Sequence, residues 1–173
     1  MWFKMMGAAL VLVASAWFGQ MVASNYAARP REIAALAAGL QFLETEIVYG
    51  STPLPAALGR VGREVEGPAG APFRRAAELL EGGGAPSAAE AWRQALEECW
   101  KETAMDRADL EAVAALGPTL GASDRADQSR HLRSAVERLK RREQVASDER
   151  ARNEGMWRYL GILGGAAVVL LLI

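Results

Sequence analysis

The chain has 173 residues, enough for one domain of ordinary size with short appendages and too few for a multi-domain enzyme. Its 51% hydrophobic and 24% charged residues match an average soluble protein, but the two kinds are segregated, with no charged side chain between Lys4 and Arg29 or after Arg158. All 21 acidic and 19 of the 20 basic residues lie from Arg29 to Arg158, leaving that middle slightly acidic, which speaks against a nucleic-acid binder.

The first run, Met5 to Ala28, is 24 residues long. As a helix it spans roughly 36 Å, more than the ~30 Å hydrocarbon core of a bilayer. A membrane span over residues 1–28 is expected. The alternative is a cleaved signal peptide, since Lys4, the apolar stretch and the small residues Ala14, Ser15 and Ala16 also fit that pattern; the mature protein would then be secreted and tail-anchored. The last run, Gly155 to Ile173, carries one charge, Arg158, which can snorkel to the interface beside Trp157 and Tyr159, so a second span is expected over residues 155–173. Basic residues flank both runs on the side of the middle segment (Arg29 and Arg31; Arg138 to Arg152), which orients residues 29–154 to the cytoplasm. A lone cysteine, Cys99, permits no internal disulfide and agrees with that compartment.

Within the middle segment the pattern is helical throughout, with six helices. Ile33, Leu36, Leu40, Leu43 and Ile47 recur every three or four residues on one face of the first, while Phe42 and Tyr49 lie roughly opposite, so this helix is expected to pack on two sides. It breaks at Gly50, for which a positive φ is expected. The second helix follows through Ser51 or Thr52 as N-cap and Pro53 in the first turn, running to Val61. Gly67 to Pro72 interrupts the chain before a third helix over Phe73 to Leu80, which Gly82 to Pro86 ends. Ser87 and Glu90 form an S-x-x-E capping box for a fourth, carrying Trp92, Leu96, Cys99 and Trp100 as mostly core residues. Asp106 and Asp109 open a fifth through Leu116, stopped by Gly117 and Pro118. The sixth begins near Ser123 or Asp124; Leu132, Ala135, Val136, Leu139 and Ala146 share one side, and Arg130, Arg133, Arg138, Lys140, Arg141 and Arg142 the other.

Catalytic chemistry finds little material. The one histidine, His131, lies in the basic stretch with no second ligand or triad partner nearby in sequence and reads as a surface residue. Cys99 reads as a small core hydrophobe, Asp124 and Asp127 as helix-start carboxylates rather than metal ligands, and Glu81 to Gly84 as a helix stop rather than a phosphate loop. No enzyme, catalytic residue, metal or cofactor is expected. The runs hold no charge deep in the bilayer, which weighs against the competing class of a pore-forming or substrate-moving transport subunit. The basic side of the sixth helix, with Arg130, Arg133, Arg138, Arg141 and Arg142, is the candidate docking face, for an anionic leaflet or an acidic partner protein.

Two segments carry a family resemblance: Glu44, Glu46, Ile47, Tyr49, Gly50, Thr52, Pro53 and Leu54 around the helix corner, and Leu116, Gly117, Leu120, Gly121 and Asp124 before the sixth helix. With "RPREI" after the first apolar run and "LGILGG" in the last, the chain resembles the stage III sporulation protein AB family of endospore-forming bacteria over essentially its whole length. The corner is also similar to that of F-domains in the inner-membrane platform proteins of type II secretion and type IV pilus machines, although those have two F-domains and this chain has one. The resemblance implies an all-α, six-helix F-domain framed by N- and C-terminal transmembrane helices. It also implies a non-enzymatic platform in the mother-cell membrane around the forespore, part of a channel between the two cells, partnered by a cytoplasmic secretion-type ATPase and other channel subunits, with room for self-association of the chain and no nucleic acid.

Overall fold

The computed structural model describes residues 2–122 and 124–172; up to residue 26 it describes the side chains of Ala14, Trp17 and Met21 alone, and from 153 onward none. Among the described residues there are six α-helices and no strand: α1 Trp2–Val48, α2 Leu54–Glu64, α3 Ala71–Glu81, α4 Ala88–Cys99, α5 Arg107–Ala114 and α6 Arg125–Leu172. Single 3₁₀ turns at Pro68–Gly70, Trp100–Glu102 and Gly117–Thr119 connect them. The chain divides into two compact units, Arg29–Gln144 and the paired termini Met1–Ala28 with Val145–Ile173. No helix among the described residues is long and apolar enough to cross a membrane, and the spans expected over 1–28 and 155–173 fall on side chains outside that description.

The first domain helix was expected to begin after the apolar run. Instead α1 is continuous, with Pro30 inside it. Proline removes one ladder hydrogen bond and disfavours the α conformation of the residue before it, so continuity here needs an external restraint on Arg29. That restraint is described below. The α1 stripe is buried as its spacing requires: Ile33, Leu36, Leu40, Leu43 and Ile47 all face the core. On the other side Phe42 is only half-buried and Tyr49 is 79% exposed, so the second packing side is left largely uncovered.

Packing of α3 and α4 centres on Trp92, which is fully buried, tilts against Phe73 at 5.3 Å between ring centroids, and donates its indole N–H to the Val113 carbonyl of α5 at 3.1 Å. A buried indole keeps its proton bonded because an unpaired donor in the core costs about 1–3 kcal/mol. Leu96 joins it in the core, whereas Cys99 and Trp100 are half-buried at the helix end. Helix α2 lies close on α3 because it offers no side chain where they meet: a Cβ on Gly62 would lie 2.7 Å from the Arg74 backbone nitrogen. From α6, Leu132, Ala135, Val136 and Leu139 complete the core as the periodicity requires.

The corner differs in mechanism from the expectation. The residue with positive φ is Ser51 (φ 49), not Gly50. Gly50 is needed for closeness: a Cβ there would stand 2.7 Å from the Glu46 carbonyl oxygen, which also accepts the Thr52 N–H at 3.2 Å. Neither Ser51 nor Thr52 caps α2. Pro53 occupies the N-cap with no side-chain bond, and Pro55 lies within the first turn, where no amide proton is missed. Gly50→Ala is accordingly expected to lower stability by about 1–3 kcal/mol, a clash rather than a dihedral effect. Pro55→Ala should lose only about 0.5–1 kcal/mol through the freer unfolded chain. Urea unfolding of the domain checks both; equal losses for the two would contradict this account.

Candidate functional site

Asp106 is the N-cap of α5, accepting the Asp109 N–H, and the Asp109 carboxylate returns the bond to the Asp106 N–H at 2.9 Å, a reciprocal capping box. The box alone would be an ordinary helix start. Here two arginines from distant helices close on it. From α1, Arg29 Nε donates to Asp109 Oδ2 at 2.8 Å, and its Nη2 to Asp106. From α6, Arg142 Nε donates to Asp109 Oδ1 at 2.7 Å and its Nη2 to both Asp106 oxygens at 2.7 and 2.8 Å. Both guanidiniums therefore span the two carboxylates, a geometry that a lysine point charge cannot reproduce.

The Asp109 side chain is 0% exposed, and that of Arg29 12%. Burial alone would raise the Asp109 pKa. The bonds from Arg29, the Asp106 N–H and Arg142 outweigh it and hold the carboxyl below its ordinary value. Two positive and two negative groups leave no net charge in this clamp, which ties α1, α5 and α6 together at the first residue of the domain unit and near its last. The same bonds hold Arg29, the residue before Pro30.

At the corner, the two glutamates of the Glu-x-Glu segment point to different elements, as residues two apart on a helix must. Glu44 accepts from Ser129 Oγ at 2.7 Å and Arg133 Nε at 2.6 Å on α6. Glu46 accepts from Thr52 Oγ1 at 2.8 Å and Arg60 Nη1 at 3.0 Å, bracing the corner against α2. Arg125, first residue of α6, donates to Ser51 Oγ at 3.0 Å. The Leu-Gly segment arrives at the same place: Gly121 (φ 72) passes so close that a Cβ would touch Leu54 and Ala88 at 3.3 Å, and Asp124 accepts the Asp127 N–H at 2.8 Å to start α6. Both segments that carry the resemblance thus build one junction. The Tyr49 ring faces solvent.

The candidate docking arginines lie in different settings. Arg142 turns inward to the clamp, and Arg138 is half-buried with a bond to Ser134. Arg133 bonds Glu44 while its own side chain stays 69% exposed, and Arg130 and Arg141 are exposed, Arg130 beside Asp127 at 3.5 Å. The helical angle of Arg142 lies at the edge of the apolar stripe, where a long side chain can turn either way. His131 sits on the surface 3.6 Å from Asp127. Burial pushes the Cys99 thiol up, with Glu102 and Glu98 adding to it, so the nucleophilic thiolate is disfavoured at neutral pH. Among the described residues no group of three or more His, Cys, Asp or Glu side chains could hold a metal ion.

Asp109→Ala leaves two guanidiniums sharing the one remaining carboxylate, that of Asp106, and is expected to cost about 3–5 kcal/mol, whereas replacing Arg29, Asp109 and Arg142 together by apolar residues of similar size should recover much of the loss. Because the folded pKa of Asp109 lies below its unfolded value near ~3.9, its contribution is complete above that value and fades as pH falls through the folded one. Urea midpoints at pH 7 and pH 3 should therefore converge between wild type and Asp109→Asn at the lower pH; an unchanged gap would mean that the carboxylate's charge is not what stabilises the clamp.

Comparison with known proteins agrees with this architecture. A family model described as stage III sporulation protein AB matches residues 4–173. The chain is 37% identical over 169 residues to the stage III sporulation protein AB of Bacillus subtilis (strain 168), covering 98% of both. A solved structure of a stage III sporulation protein AB aligns at 34% identity with a TM-score of 0.66, over 72% of this chain and 97% of that one. The capped, clamped six-helix chain belongs to the stage III sporulation protein AB family.

Proposed function

We propose that this sporulation-family protein is a non-enzymatic membrane platform: two apolar runs anchor it in the mother-cell membrane around the forespore, and the helical domain docks a cytoplasmic secretion-type ATPase in a channel complex between the two cells. The observation that carries the reading is the clamp, which fastens together the two helices leading into the apolar runs. A scaffold needs a fixed body at the membrane end of its helices, and the clamp supplies one from Arg29, Asp106, Asp109 and Arg142.

Supporting the orientation, basic residues flank both runs on the domain side. An engineered cysteine at the exposed Arg63, in a Cys99→Ser background, should stay unlabelled by a membrane-impermeant thiol reagent in intact cells and react after lysis. Ready labelling in intact cells would remove the cytoplasmic assignment.

For docking, Arg130, Arg133 and Arg141 are the exposed arginines of the candidate set, and Arg130 and Arg141, three turns apart on one side, lie away from the Glu44 contact that Arg133 makes. Their reversal to glutamate should leave the fold intact, because neither reaches the core, and should weaken ATPase binding most at low ionic strength. Co-purification of the full chain with the ATPase across a salt series measures this. Binding that is unchanged at low salt, with loss only from anionic vesicles, would assign the face to the membrane.

A further inference from the structure

Within the domain, Arg31, Ala35, Ala38, Phe42 and Thr45 of α1, and Tyr49 in the turn just after it, follow each other at alternating spacings of four and three, the seam of a heptad repeat. None is buried; Arg31, Ala38, Thr45 and Tyr49 are exposed, Ala35 and Phe42 half-buried. The stripe on which α1 packs into its own domain, Ile33 through Ile47, is a different and fully occupied face. Seam and stripe together make α1 a helix with two packing sides, of which the fold uses one. Among the described residues, the exposed large hydrophobic side chains are Trp17, Met21, Tyr49 and Val145. Of these, Tyr49 lies in the domain on the line of the seam, so the domain stretch is what calls for a partner.

We propose that this face is where two copies of the chain meet, α1 against α1 in parallel. In such a pair each seam residue faces its own counterpart, so a charged seam would repel itself. This one has no charged residue from Ile33 to Leu43, and the small Ala35 and Ala38 let the two helices approach closely. The seam's one charge, Arg31, neighbours Glu32, the adjacent position that flanks the seam. In a parallel pair Arg31 of one copy comes beside Glu32 of the second, and the reverse, giving two reciprocal ion pairs. Glu32 suits that role: it is half-buried, its carboxylate accepts the Ala104 N–H at 2.7 Å, and burial raises its pKa against that bond. A cation brought beside it would compensate the desolvation. Two single-domain copies joined this way present two helical domains to one partner, a step beyond the platform reading and independent of what the platform docks.

Disulfide trapping of the full chain in cells tests the pairing, in a Cys99→Ser background. Ala38→Cys and Thr45→Cys should each give an oxidised product of twice the chain mass, at least about tenfold more than Glu97→Cys on exposed α4 or Arg107→Cys on α5. Adding Ala38→Glu, or separately Arg31→Glu, to Thr45→Cys should cut trapping about tenfold; both are exposed positions, and an unchanged melting temperature of the purified chain checks that the fold is kept. Equal trapping at seam and control positions, adducts of another mass, or Thr45→Cys trapping that survives both charge substitutions would overturn the proposal.

Discussion

A carboxylate with no solvent exposure, held between two guanidiniums, is the point on which the domain turns. Asp109 could not stay ionised in that position without Arg29 and Arg142, and neither arginine could be folded inward without it. The three belong to α1, α5 and α6, so the least local part of the topology, the meeting of the first and last helices, is fixed by charge rather than by packing alone. The short α5, eight residues, would hardly hold as an isolated helix; its capping box and the clamp are the same atoms, so forming the helix end and closing the domain are one event.

Hydrophobic periodicity made the core legible. The Ile33 to Ile47 stripe and the Leu132, Ala135, Val136 and Leu139 set are buried as their spacing demanded, and the Asp106 and Asp109 helix start is where the residue types placed it. What could not be read were contacts between residues 33 to 89 positions apart. Arg142 looked like one member of a basic face because sequence gives a helical angle and no more, and Arg133 likewise conceals its bond to Glu44. At the corner the residue types were right and the reasons were not: Gly50 serves close approach, and the left-handed backbone falls on Ser51, whose hydroxyl is wanted by Arg125. A glycine at 51 would be easier on the backbone and would drop that bond.

The family segments gain a physical meaning from this. Glu44, Glu46, Thr52 and Leu54 with Gly121 and Asp124 form one junction where α1 ends, α2 begins and α6 starts. The domain is therefore pinned near both ends, by the junction at one and by the clamp at the other, with apolar packing between.

That register has a direction. Sliding α6 past α1 by one helical turn one way would set Glu137 where Arg133 meets Glu44, and Ala146 where Arg142 meets Asp109: a carboxylate against a carboxylate at one pin and, at the other, two carboxylates left to Arg29 alone. Sliding it the opposite way would bring Ser129 and Arg138 to those places, a hydroxyl that can still donate and a guanidinium that can still pair. The helix is locked by charge against axial load from one side and by packing alone against load from the other, so the bundle resists a push and a pull unequally.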